Sequence, residues 1–209
     1  MKNLNQWRTV IRSIITVIII AAVSQLSTAQ SLYKATNAKD CYIKVLGSSN
    51  VHDWTMISAT SDSQGDFKFE GDQLRNITSL TLLVDAKSLK SEHSSMDERT
   101  YKTIKAEQFP KIVFKLSSVA ITPIFKNKFE IKAKGDLTIA GVTQAITMDV
   151  TAIVNADNTI TCSGIQKLQL KDYKIDPPSF MLGAMRVSND LTIQFNINYK
   201  KQNLLSNNN

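Results

Sequence analysis

The stretch Lys128-Phe129-Glu130-Ile131-Lys132-Ala133-Lys134-Gly135-Asp136-Leu137-Thr138-Ile139 sorts its side chains into two alternating sets. Phe129, Ile131, Ala133, Leu137 and Ile139 make one set; Lys128, Glu130, Lys132, Lys134 and Asp136 make the other. A helix would scatter both sets around its axis, whereas a strand places them on opposite faces. The same period of two recurs over 80–87, 112–117, 146–154 and 191–199, and more briefly over 41–46, 54–59, 65–70 and 159–170. This predicts eight or nine strands, each apolar on one face. Turn signals lie between them at Asp62-Ser63-Gln64-Gly65, Lys126-Asn127, Ala140-Gly141 and Asn155-Ala156-Asp157-Asn158. Short connections make antiparallel neighbours, and the lack of a repeated helix between strands excludes a parallel α/β sheet. Such a sheet buries its apolar face by closing into a barrel or by stacking as a sandwich. Long strands joined by sequential hairpins favour the barrel, which either fills itself with side chains or holds one small ligand. One helix interrupts the pattern. Ser95-Met96-Asp97-Glu98 reads as a capping box, Met96, Thr100, Tyr101 and Ile104 follow at helical spacing, and Phe109-Pro110 is the expected stop.

The ends of the chain are expected to lie outside this domain. Arg8 and Arg12 precede a short apolar run, Ile14 to Val23, and Ser27-Thr28-Ala29 supplies small residues at a cleavage position. That is the three-part pattern of a secretory signal, so residues 1–29 are read as a cleaved leader. The apolar run is about half the ~20 residues that a spanning helix needs. Without Lys2, Arg8 and Arg12 the net charge falls from +7 to +4. A mildly basic exported protein is not a nucleic-acid binder. Residues 30–199 form the single domain, and 200–209, with no periodicity, form a frayed tail. An oxidising compartment permits a Cys41–Cys162 disulfide; the alternative is two small buried hydrophobes on different strands.

Four segments, taken together, carry a family resemblance. They are Gly47-Ser48-Ser49-Asn50-Val51-His52-Asp53-Trp54, Phe109-Pro110-Lys111-Ile112-Val113-Phe114, the hairpin Gly135 to Gln144 with its Gly141-Val142-Thr143 turn, and Met185 to Ile193. In this order they resemble the YceI-like family over roughly residues 38–199. The resemblance implies an all-β fold: an eight-stranded antiparallel lipocalin-like β-barrel with one short inserted helix. It also implies a periplasmic or secreted protein whose extended apolar cavity binds a polyisoprenoid or another long-chain lipid. The Gly47 to Trp54 segment departs from the common pattern and resembles a subgroup variant, which bears on the ligand's identity more than on the fold.

Candidate ligand-binding residues follow from the inward faces. Leu82, Val84, Phe114, Leu116, Phe129, Ile131, Ile146, Met148, Ile193 and Phe195 are wall candidates, with core filling as the alternative for each. His52 and Trp54, two apart, share a face near the mouth. Arg99 on the helix is a headgroup candidate, or else pairs with a neighbour such as Asp97. No nucleophile elbow, metal-ligand spacing or phosphate loop is present in the sequence, so neither enzymatic activity nor a cofactor is expected. The expected partner is the apolar ligand; transient membrane contact and a homodimer stay open. Two rivals share the alternation: a barrel filled with side chains that acts through its outer surface, and a small outer-membrane barrel.

Overall fold

The computed structural model describes residues 31–202. The strands are β1 (Leu32–Ala35), β2 (Tyr42–Ser49), β3 (Asp53–Ser58), β4 (Asp62–Glu70), β5 (Gln73–Asp85), β6 (Lys111–Phe125), β7 (Lys128–Ile139), β8 (Val142–Val154), β9 (Ile160–Gln169), β10 (Ser179–Phe180) and β11 (Met185–Lys201). A helix, α1 (Ser94–Thr103), lies between β5 and β6. All pairings are antiparallel, and β1-β4-β5-β6-β7-β8-β9-β11 close into a ring because β1 also pairs with β11. The expected eight-stranded barrel is therefore the fold.

The alternation read in β7 holds along its length. Phe129, Ile131 and Ala133 are buried while Glu130, Lys132, Lys134 and Asp136 face outward. β7 and β8 pair in unbroken register from Lys128↔Ile153 to Ile139↔Val142. Their connection is only Ala140-Gly141, both with positive φ (49° and 78°), the left-handed geometry that a two-residue hairpin demands.

β11 is long enough to serve two neighbours on one edge. Its first part pairs with β2 from Val187 to Asn196, and its last part pairs with β1 from Tyr199 to Lys201. The β2–β3 hairpin thereby extends the wall at one end of the ring. A single bridge, Ile57↔Lys90, ties β3 to the segment after β5 and completes that end.

Several local expectations are corrected. Asp62 to Gly65 is the start of β4, not a turn, since Asp62 to Gly65 pair with Leu83 to Leu80. β1 and β10, of four and two residues, are too short for a period to show. The capping box does not form: His93 occupies the N-cap position without a side-chain cap. The helix stops at Thr103, well before Pro110, and Lys105 takes a positive φ of 52° in the turns that follow. Lys200 and Lys201 belong to β11, held there by β1, rather than to a tail. Both cysteines are free and buried. Cys162 pairs with Ile197 on β9–β11, and the β2–β11 register, carried one residue on, places Cys41 on that residue's other side. Two strand spacings put the cysteines nearly 10 Å apart, beyond the ~7 Å reach of a disulfide. The expected leader, and the chain beyond residue 202, lie outside the described residues.

The ring's two ends differ. One is plugged by Tyr33, Phe67, Phe129, Ile160 and Tyr199, with ring centroids 5.2 Å (Tyr33–Phe67) and 5.3 Å (Phe67–Tyr199) apart. The Tyr199 hydroxyl is satisfied by Ser63 Oγ at 2.8 Å, so this floor holds no polar group in want of a partner at that point. At the other end α1 and the segment 170–180 fold over the opening.

Candidate functional site

Above the floor the barrel interior is not filled. A lower chamber of about 160 Å³ lies among β5 to β9, β11 and β2. An upper chamber of about 280 Å³ lies under α1 and the 170–180 segment. Val45, Leu89, Ile112, Ile139, Leu168 and Ile193 line both, so the two chambers meet at an apolar waist. The lower chamber is lined almost entirely by aliphatic and aromatic side chains. Such a space stays dry and takes up apolar guests. Left empty, the lower chamber alone would cost about 4 kcal/mol at roughly 24 cal/mol per Å³.

The upper chamber is more varied. Trp54 reaches it from β3 because its cross-strand partner is Gly47, where a Cβ would overlap the indole. His52 sits just before β3 in a loop organised by Ser49. The Ser49 hydroxyl donates to the His52 carbonyl (2.9 Å) and accepts from the Val51 and His52 amides. The His52 ring itself lies against the Asp53 carbonyl, Nδ1 to O at 2.8 Å. Arg99 comes from α1 with its guanidinium 4.7 Å above the Phe180 ring. Asp97 is not its partner. That buried carboxylate accepts from the Ser91 amide and hydroxyl (both 2.7 Å) and meets Lys90 at 3.6 Å. Burial opposes its ionisation, but the two Ser91 bonds and the Lys90 ammonium outweigh it, holding the carboxyl below the ordinary carboxylate range.

Of the residues singled out from the sequence, Leu82, Val84, Phe114, Leu116, Ile131, Ile146, Met148 and Phe195 line the lower chamber. His52, Trp54 and Arg99 line the upper one, and Ile193 lies at the waist. Phe129 lines neither; it is fully buried in the floor. Sequence reading did not single out Val45, Ile112, Ile139 or Leu168, although Ile112 and Ile139 lie on inward sets already recognised. It also missed Met96, Tyr173 and Phe180, which line the upper chamber. Tyr173 and Phe180 fall in a stretch of single turns and a two-residue strand, where no period exists to detect.

The outer face of β7 opposes the membrane-barrel rival. A spanning barrel turns apolar residues to lipid and polar ones to its lumen. Here Glu130, Lys132, Lys134 and Asp136 point out and the lumen is apolar.

The model of the YceI-like domain matches residues 42–199, three quarters of the chain. The chain belongs to the YceI-like family. Among solved structures, Burkholderia cenocepacia BcnA superposes with a TM-score of 0.63 at 18% identity, covering 78% of this chain and 98% of that one. A polyisoprenoid-binding domain from Saccharophagus degradans, implicated in plant cell wall breakdown, superposes with a TM-score of 0.60 at 12% identity, covering 81% and 98%. At these identities the likeness is one of fold. No curated protein matches the sequence. The YceI-like fold thus accounts for the eight-stranded ring with its one helix.

Proposed function

We propose that this YceI-like protein is a non-enzymatic carrier, exported to the periplasm or beyond, that encloses one long-chain apolar ligand of the polyisoprenoid or fatty-acyl kind. The observation that carries the reading is the pair of apolar chambers joined at a waist, a shape that suits a chain better than a compact molecule. Burying each methylene gains about 0.8 kcal/mol. Ten or more methylenes outweigh an association cost on the order of 4–15 kcal/mol when the pocket is already formed. The polyisoprenoid-binding relative supports the ligand class, and the basic-then-apolar leader supports export.

We take loading to occur at a membrane, and the rim of the upper chamber offers a surface for it. Met181 and Leu182 are exposed apolar residues, both with φ of 54°, next to the chamber-lining Phe180. Exposed Val51 is nearby, because Asn50 accepts from the Arg186 amide (2.7 Å) and donates to the Ala184 carbonyl (2.8 Å).

Native mass spectrometry of the protein purified from its own host, without detergent, tests the carrier reading. The expected spectrum shows a one-to-one adduct whose mass, after solvent extraction, is that of a long-chain lipid. A bare chain that also fails to take up isoprenoid or fatty-acyl probes in vitro would sink it and leave a role for the outer surface alone.

A further inference from the structure

Two of the three arginines among the described residues flank one short loop, and neither of these two meets a carboxylate there. Arg99 lies over the Phe180 ring, and Arg186 donates from Nε to the Gly183 carbonyl at 3.0 Å. Arg75, by contrast, is paired with Glu70. Between the two unpaired guanidinium groups the chain turns through Met181-Leu182-Gly183, with Met181 76% exposed and Leu182 wholly exposed.

Single apolar residues on a surface need no explanation. This pair does, because the loop that carries it is strained and well bonded. The φ of 54° at both Met181 and Leu182 is a left-handed conformation that side chains other than Asn and Asp rarely adopt. The Ala184 amide donates to the Met181 carbonyl (3.1 Å), the Val187 amide donates to the Pro178 carbonyl (3.0 Å), and Phe180 pairs with Met185. Asn50, through Ala184 and Arg186, ties exposed Val51 alongside. The fold thus holds two large apolar side chains out into water against local backbone preference. Strain kept at such a place points to a surface that meets something outside the chain.

The groups around the tip indicate what it meets. Apolar side chains on a bonded loop suit the acyl boundary of a bilayer, and a guanidinium fork suits phosphate oxygens. The other charged side chains of residues 170–186, Lys171, Asp172, Lys174 and Asp176, cancel, so the arginines set the sign of the charge at the tip. We propose that the Met181–Leu182 tip docks on an anionic phospholipid bilayer, its two apolar side chains entering the acyl boundary while Arg99 and Arg186 take lipid phosphates. This rests on the carrier reading and adds to it the chemistry of the partner surface and an orientation, with the upper chamber toward the bilayer and the floor away from it.

The test is co-sedimentation of the detergent-free protein with vesicles of phosphatidylcholine alone or of an equal mixture with phosphatidylglycerol. Binding to the mixed vesicles is expected to exceed binding to the neutral ones by about fivefold for each arginine engaged, and to weaken with added salt. Met181→Asn with Leu182→Asn should cut binding to either vesicle by about tenfold or more. Asn accepts a positive φ, so the melting temperature should not fall. Arg186→Gln should lose about fivefold on the mixed vesicles and nothing on the neutral ones. Phe125→Asn, which removes an exposed aromatic at the far end of β6, should bind as the parent does. A parent that ignores both vesicles overturns the docking, as does a Phe125→Asn variant that loses as much as the Asn pair. A parent dimer that the Asn pair turns into a monomer also overturns it, because the tip then meets a second copy. Carriage is read separately by native mass spectrometry: a lipid adduct without vesicle binding overturns the docking alone, and vesicle binding by a chain that carries nothing overturns the carrier alone.

Discussion

At the scale of single residues, Gly47 has a role that composition does not reveal. It lies opposite Trp54 across the β2–β3 hairpin, and the indole occupies the volume where a side chain would begin. The site therefore depends on a missing Cβ as much as on an aromatic ring. Gly47→Ala is expected to destabilise the protein by about 1–3 kcal/mol through overpacking. In a Trp54→Ala background, where the ring is gone, the same change should cost less than about 0.5 kcal/mol. Urea denaturation of the four proteins in this cycle measures the coupling; equal costs in both backgrounds would mean that Gly47 is conserving backbone freedom instead. The sequence shows Gly47 and Trp54 seven residues apart but not their pairing, because cross-strand register depends on a turn organised by the Ser49 hydroxyl. The spacing of His52 and Trp54 placed them on one face, and both line the upper chamber; Tyr173 gave no such signal, because nothing in its neighbourhood repeats.

Elements were legible in proportion to how long they alternate. β7 and β8 are twelve and thirteen residues, each buried on one side, and their pattern admits one reading. β1 is four residues, and its place is fixed by pairing with β4 and β11, partners distant in sequence. The start of α1 was misread for a different reason. Ser95 and Glu98 have the capping spacing, yet the preceding loop turns on Asp97, which satisfies Ser91 and meets Lys90. Lys90 is the residue whose backbone bridges to Ile57 and completes the open end of the wall. Asp97→Ala is thus expected to lose about 1–3 kcal/mol, leaving the half-buried Ser91 amide without its acceptor, whereas Glu98→Ala should change stability by less than about 0.5 kcal/mol. The ordering reverses if the capping box forms in solution. The Asp97 carboxyl is held below its ordinary value, so its contribution is present above that ordinary pH and is lost as pH falls through the lowered one. The stability gap between Asp97→Ala and the parent should accordingly narrow in strong acid, which denaturation melts over an acidic pH series would record.

For the molecule as a whole, stability and function compete for the same interior. The floor is packed with fully buried Phe67, Phe129 and Ile160, and it can hold the ring together because nothing has to enter there. The chambers above withhold that packing, and under the proposed carrier function an apolar ligand would restore it by making the contacts that side chains do not. Ala133 sits where this trade can be tested, buried on β7 against the lower chamber. Ala133→Leu places added methyl groups in that space. If the chamber is a tail site, the ligand-free protein should gain about 0.5–2 kcal/mol, as cavity-filling changes commonly do. Affinity for a long-chain ligand should fall at least tenfold, while a ligand short enough to stop at the waist keeps its affinity. Opposite signs in the two measurements are the signature, because plain overpacking would lower stability and would not distinguish ligands by length. A stabilised variant that still binds the long chain as the parent does would show that the tail lies elsewhere, and that the lower chamber is slack in the core rather than part of the site.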